Sequence, residues 1–146
     1  MQPLILTLQL DQKSFTFFNT LRKQHFPPER NFLDAHLTLF HHLPSEAHVQ
    51  KTVKDIAAAT PVLELQVSSV VSIGKGVAYK MECPPLVTLH KQLQAQWKGL
   101  LTPQDQQGLW PHVTVQNKVD AATAKALQQQ LALSFRPFTA QGVGLS

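Results

Sequence analysis

The chain has 146 residues, of which 43% are apolar and 15% charged; that is one domain's worth with enough apolar surface for a core, and it excludes disordered and coiled-coil classes. Net charge is +4, a mild bias towards anionic partners, but the longest lysine/arginine run is the pair Arg22-Lys23, so charge alone does not point to nucleic acid. A single cysteine, Cys83, excludes an internal disulfide, a thiolate metal cage and a CxxC redox pair, and no apolar run is long enough to cross a membrane.

Leu4, Leu6, Leu8 and Leu10 alternate with other residues, as in a first strand. This stretch is short, lacks a basic flank and runs into Asp11, so it does not read as a signal peptide, and the expected compartment is the cytoplasm. Asp11 or Ser14 can cap a helix through Phe15, Phe18, Leu21 and Arg22 that ends at Pro27-Pro28. After a polar connector, Ala35 to Phe40 has a strand pattern. Ser45 can cap a second helix with Val49, Val53, Ile56 and Ala57 on its apolar stripe. Val62 to Val71 is rich in branched residues and reads as a third strand.

Beyond the turn Gly74-Lys75-Gly76 the same order begins again. Val77, Tyr79 and Met81 alternate as a strand. Pro84-Pro85 opens a helix with Leu86, Leu89, Leu93 and Trp97 on one face, and a polar loop spans Pro103 to Gly108. Trp110 to Val115 is a strand, Asp120 caps a helix carrying Ala124, Leu127 and Leu131, and Phe135 to Val143 is the last strand. The halves, about 1–75 and 76–146, share the order strand, helix, strand, helix, strand, which suggests a duplicated unit inside a single domain over 1–146.

Within that order, His36-Leu37-Thr38-Leu39 and His112-Val113-Thr114-Val115 hold equivalent places, 76 residues apart. Residues two apart on a strand share a face. Each histidine is therefore presented with its threonine while the apolar partners anchor the strand. Fewer than one such His-x-Thr pair is expected by chance from this composition, and the apolar alternation inside both makes the match more specific.

These two motifs, the Phe-Pro-Pro-Glu-Arg-Asn connector before His36 and the run from Trp110 to Lys118 resemble the 2H phosphoesterase superfamily, which includes 2′-5′ RNA ligase-like and cyclic phosphodiesterase proteins. The resemblance covers nearly the whole chain. It implies an α+β, bilobal, pseudo-two-fold fold with two antiparallel sheets flanking a central cleft and helices outside, with the first and last strands sharing a lobe. It also implies that His36, Thr38, His112 and Thr114 are catalytic. The expected partner is RNA or a nucleotide bearing a 2′,3′-cyclic phosphate or a 2′-5′ linkage. One imidazole would act as base and the other as acid, with the threonine hydroxyls on the non-bridging oxygens. This scheme uses no cofactor and no metal. No membrane association and no obligate protein partner are expected, and the protein is expected to be a monomer.

Candidate substrate-binding residues follow from strand parity. Phe40 and Gln116 lie two residues past each threonine, Lys118 continues that parity, and Trp110 shares the parity of His112. Tyr79 on the fourth strand can point inward, and for Phe40 core packing is the competing account. Arg22, Arg30 and Lys75 can form a basic rim. Thr7 can line the cleft or bond within the sheet. The adjacent His41 and His42 point to opposite faces of a regular strand and cannot share a metal. His25, His48 and His90 fall on helices as surface or packing residues. Two other functions compete: a non-catalytic nucleotide- or RNA-binding module using the same cleft, and a metallohydrolase. The absence of HExxH, or of a carboxylate–histidine cluster with ligand spacing, disfavours the latter.

Overall fold

The structure is a computed structural model that describes residues 2–146. The elements alternate along the chain: β1 (Leu4–Leu10), α1 (Gln12–His25), a 3-10 turn (Pro28–Arg30), β2 (Leu37–Leu43), α2 (Ala47–Ala59), β3 (Leu63–Ser72), β4 (Val77–Glu82), α3 (Pro84–Gln96), β5 (His112–Gln116), α4 (Ala121–Ser134) and β6 (Phe138–Leu145). Local chemistry sets the ends. The Asp11 carboxylate accepts from Ser14 N at 3.1 Å and starts α1, and Asp120 does the same for α4 through Thr123 N at 2.8 Å. For α2 the expected cap, Ser45, is displaced: Glu46 holds the N-cap position and makes no side-chain bond there.

All six strands form one antiparallel sheet in the order β2-β1-β6-β3-β4-β5. The expectation of two flanking sheets is corrected here: β6 pairs with β1 on one side and β3 on the other, joining what would otherwise be separate three-stranded sheets. β1 and β6, first and last in the chain, are neighbours as expected. The strand order maps onto itself when β1, β2 and β3 are exchanged for β4, β5 and β6. The sheet curls until its edges, β2 and β5, approach each other, so it is nearly a closed barrel with one open seam. Alternation over six strands makes the two edge strands run in opposite directions.

The helices pack on the sheet's apolar face: α1 against β5, α4 against β3 and β4, and α2 against β6. Leu37, Leu39, Val113 and Val115 from the motif strands join Phe18, Leu65, Met81, Leu86, Leu93 and Trp97 in the core. The apolar halves of both motifs are thus the anchors that parity suggested.

The motif strands depart from regular pairing at the same place. Leu6 faces Phe40 while the next residue, Thr7, faces Thr38, so β2 carries an extra residue at Leu39. On β5, Val77 faces Gln116 while Ala78 faces Thr114, which puts the extra residue at Val115. Each bulge lies one residue past the motif threonine and reverses the inside–outside phase beyond it.

Gly76 marks the close approach that the second bulge requires. A Cβ built there would lie 1.9 Å from the Gln116 carbonyl oxygen, an immovable backbone atom. Gly76→Ala is expected to destabilise the fold by at least about 2 kcal/mol, read as a lowered melting temperature. Gly108→Ala, with nothing within 4 Å of the new atom, is expected to melt with the native protein.

Candidate active site

The open seam puts both motifs at free sheet edges, where backbone groups lack strand partners. Three side chains fill that need. Arg22, buried on α1, donates through a terminal guanidinium nitrogen to the Thr114 carbonyl at 3.1 Å and through Nε to Asn31 Oδ1 at 2.9 Å, with its guanidinium over the Phe26 ring. His90, buried on α3, donates from Nε2 to the Leu39 carbonyl at 3.0 Å. Asp105, from the loop between α3 and β5, accepts the His41 and His42 amides of β2 at 2.9 Å each, one on each carboxylate oxygen. Arg22 is therefore a strut behind the second motif rather than part of a solvated basic rim.

Both motif histidines are oriented in the same way. His36 Nδ1 lies 2.7 Å from the Asp34 carbonyl and His112 Nδ1 lies 2.9 Å from the Trp110 carbonyl, in each case two residues upstream. A carbonyl only accepts, so each Nδ1 carries the hydrogen. That leaves Nε2 of both rings as the group that can gain or lose a proton. His112 is further fixed by Trp110, whose ring stacks on it at 3.7 Å and 10°. Burial pushes the His112 pKa below the ordinary imidazole value; the Trp110 carbonyl opposes this, and positive charge on His41 or His36 reinforces it.

Thr38, His112, Thr114 and Trp110 line one cavity of about 310 Å³ at the seam, with His41, Asp105 and Asn117. This volume is at the lower end for a small-molecule site and suits one nucleotide unit rather than a long strand. His36 does not line this cavity; it borders a separate hollow with Thr7, and a charge on it acts on His112. The register gives Thr7 the same face as Thr38.

Five of the six expected substrate-binding residues do not reach this cavity. Phe40 is fully buried, stacked on His90 at 4.5 Å, and Gln116 is also buried. The bulges at Leu39 and Val115 turn both inward. Tyr79 lies in an aromatic cluster with Phe17, Phe18 and Phe135, pairing with Val113 and hence on the core face; burial raises its pKa to about 12. Lys118 is exposed in the turn after β5 with φ of 64°, and Arg30 is exposed on the 3-10 turn; neither lines the cavity. Trp110 does line it, although β5 starts only at His112. In place of Phe40 and Gln116, the phase reversal brings His41 and Asn117, each three residues past its motif threonine, into the lining. Strand alternation could not reveal these two, and Asp105 carries no local signal because its partners are 63 and 64 residues away.

Among the described residues no three histidine, cysteine or acidic side chains group as a metal site, and no helix is long and apolar enough to cross a membrane.

The fold and cleft define a class: an α/β protein whose antiparallel sheet presents two matched His-x-Thr strands across a seam. The model of the 2′-5′ RNA ligase superfamily matches residues 10–145, and the chain belongs to that family, part of the 2H phosphoesterase superfamily. No curated protein matches the chain in sequence.

Burial holds His25, His90 and His112 below the ordinary imidazole pKa, which sets an acid dependence of stability. Above about pH 7 these groups are neutral in both states and their contribution is complete. As pH falls through about 6.5 the unfolded chain takes up protons that the folded chain resists, so stability declines by up to about 1.4 kcal/mol per pH unit per group, levelling once the folded rings protonate. Denaturant melts between pH 5 and 8 are expected to show this decline, and it should be shallower in His90→Gln.

Proposed function

We propose that this protein is a phosphoesterase that hydrolyses, or in reverse forms, a 2′,3′-cyclic phosphate or 2′-5′ phosphodiester on RNA or a nucleotide. The observation that carries this reading is the matched anchoring of His36 and His112, each with Nδ1 spent on a carbonyl, which leaves Nε2 as the atom that can exchange a proton. Both family membership and the cavity's size support it.

In the hydrolytic direction His112 is the base, since burial keeps its ring neutral to lower pH than usual. Its Nε2 takes a proton from water as the water oxygen bonds to phosphorus. The bond from phosphorus to one ribose oxygen breaks on the opposite side, and protonated His36 gives its Nε2 proton to that oxygen. The product is a phosphomonoester with a free neighbouring hydroxyl. Solvent exchange restores both rings. Thr38 and Thr114 donate their hydroxyl hydrogens to the non-bridging oxygens as charge builds there. Trp110, stacked on His112, offers its half-exposed ring to a base or ribose.

The test is hydrolysis of nucleoside 2′,3′-cyclic phosphates and a cyclic-ended oligonucleotide in the presence of chelator. Wild type is expected to turn over, with a bell-shaped pH profile. His36→Ala and His112→Ala are each expected to lose about 10²–10⁴-fold in kcat, the usual contribution of one acid or base. Thr38→Val and Thr114→Val are expected to lose roughly 10-fold or more with the fold intact. Turnover that persists in either histidine variant would refute the two-histidine scheme. Absence of turnover with nucleotide binding retained would favour a binding module.

A further inference from the structure

A phosphate site needs positive charge, and no lysine or arginine lines this cavity. Among the side chains that line it, only imidazoles can carry that charge. Of those lining it, His90 is buried with its Nε2 committed to the Leu39 carbonyl, and His112 is disfavoured as a cation by its burial. That leaves His41. The bulge at Leu39 turns His41 to the cleft face that Thr38 occupies. Its backbone amide is held by Asp105 Oδ1 at 2.9 Å, and its Nδ1 lies 3.3 Å from the same oxygen. An ionised carboxylate only accepts, so Nδ1 is the donor and Nε2, across the ring, is left for the cavity. Asp105 is itself buried, with both oxygens bonded to β2, so this partner is fixed.

The geometry points to His41 as a third catalytic histidine, seated against Asp105 to bind a non-bridging phosphate oxygen beside His112 and to keep His112 in its base form. The matching position on the other motif strand is Asn117, which cannot carry charge. The two ends of the cleft are therefore unequal although their motifs match. The antiparallel run of the edge strands brings His41 to the His112 end, and a charge on His41 disfavours a proton on His112. The groups facing His41 are Asp105 from the loop, His112 from β5 and His90 from α3. Those facing His112 are His41, His36 and, opposite it in register on β4, Lys80.

This inference rests on the phosphoesterase reading, but its decisive test needs no turnover. Imidazole resonances of wild type and His41→Gln are followed by NMR, first against pH and then against inorganic phosphate. Glutamine keeps a polar side chain at this exposed position and removes the charge. The expected result is a rise of roughly half a pH unit in the His112 midpoint and about a 10-fold loss of phosphate affinity. An unchanged midpoint, or unchanged phosphate affinity, overturns the assignment. Where wild type hydrolyses a cyclic nucleotide, the acid limb of its pH–rate profile is expected to shift upward in His41→Gln; an unmoved limb also overturns it. A wild type that binds phosphate through His41 yet hydrolyses nothing would overturn the activity and leave the histidine's role standing.

Discussion

The seam between β2 and β5 is the constraint on which the rest of the structure depends. A six-stranded antiparallel sheet that curls this far could close by pairing its last two edges, and closure would bury both motifs in a ladder of hydrogen bonds. It stays open because the edge groups are already satisfied from the side. Arg22 takes the Thr114 carbonyl, His90 takes the Leu39 carbonyl, and Asp105 takes the His41 and His42 amides. Each contact removes an unpaired backbone group that would otherwise cost about 1–3 kcal/mol if buried or invite another strand. The buried polar residues on α1, α3 and the long loop are thus the means by which a barrel is left with a working edge.

The two bulges perform the next step. Without them, β2 and β5 would present His, Thr, Phe and His, Thr, Gln towards the cleft, a row in which apolar Phe40 intrudes. One extra residue after each threonine sends Phe40 and Gln116 to the core and brings His41 and Asn117 forward. The same device in both strands keeps the His-Thr pairs comparable while allowing the positions beyond them to differ.

Much of this was readable in the sequence, and the limit has a physical cause. Helix caps at Asp11 and Asp120, the apolar stripes of α1, α3 and α4, and the His-x-Thr pairs are local patterns set by residues within a turn or two of one another. The bulges are not local: they are differences of register between two strands, invisible to the alternation of either one. Parity therefore paired His36 with Thr38 and His112 with Thr114 but misplaced Phe40 and Gln116. The merger of two expected sheets into one has the same origin, since it depends on β6 pairing with strands from both halves. Arg22 looked like a surface cation because its partners, Asn31 and the Thr114 carbonyl, are brought to it only by the packing of α1 against β5.

A cavity lined by imidazoles, hydroxyls and amides but by no lysine or arginine has a consequence for how charge is handled. A permanent cation stabilises bound phosphate whether or not reaction has begun, and such uniform binding does not lower the barrier between the bound state and the transition state. Histidines instead hold charge that depends on what is bound and where the proton lies. In the two-histidine scheme one proton enters the ring of His112 as another leaves His36, so positive charge crosses the cleft as the phosphorus–oxygen bonds exchange. Anchoring each Nδ1 to a rigid carbonyl confines that movement to the two Nε2 atoms and prevents the rings from changing tautomer. In the same scheme the threonine hydroxyls would meet the non-bridging oxygens wherever the proton stands. Reversal then needs only that the histidines exchange protonation states, which matches a family whose name records joining while the chemistry of a strained cyclic phosphate favours opening.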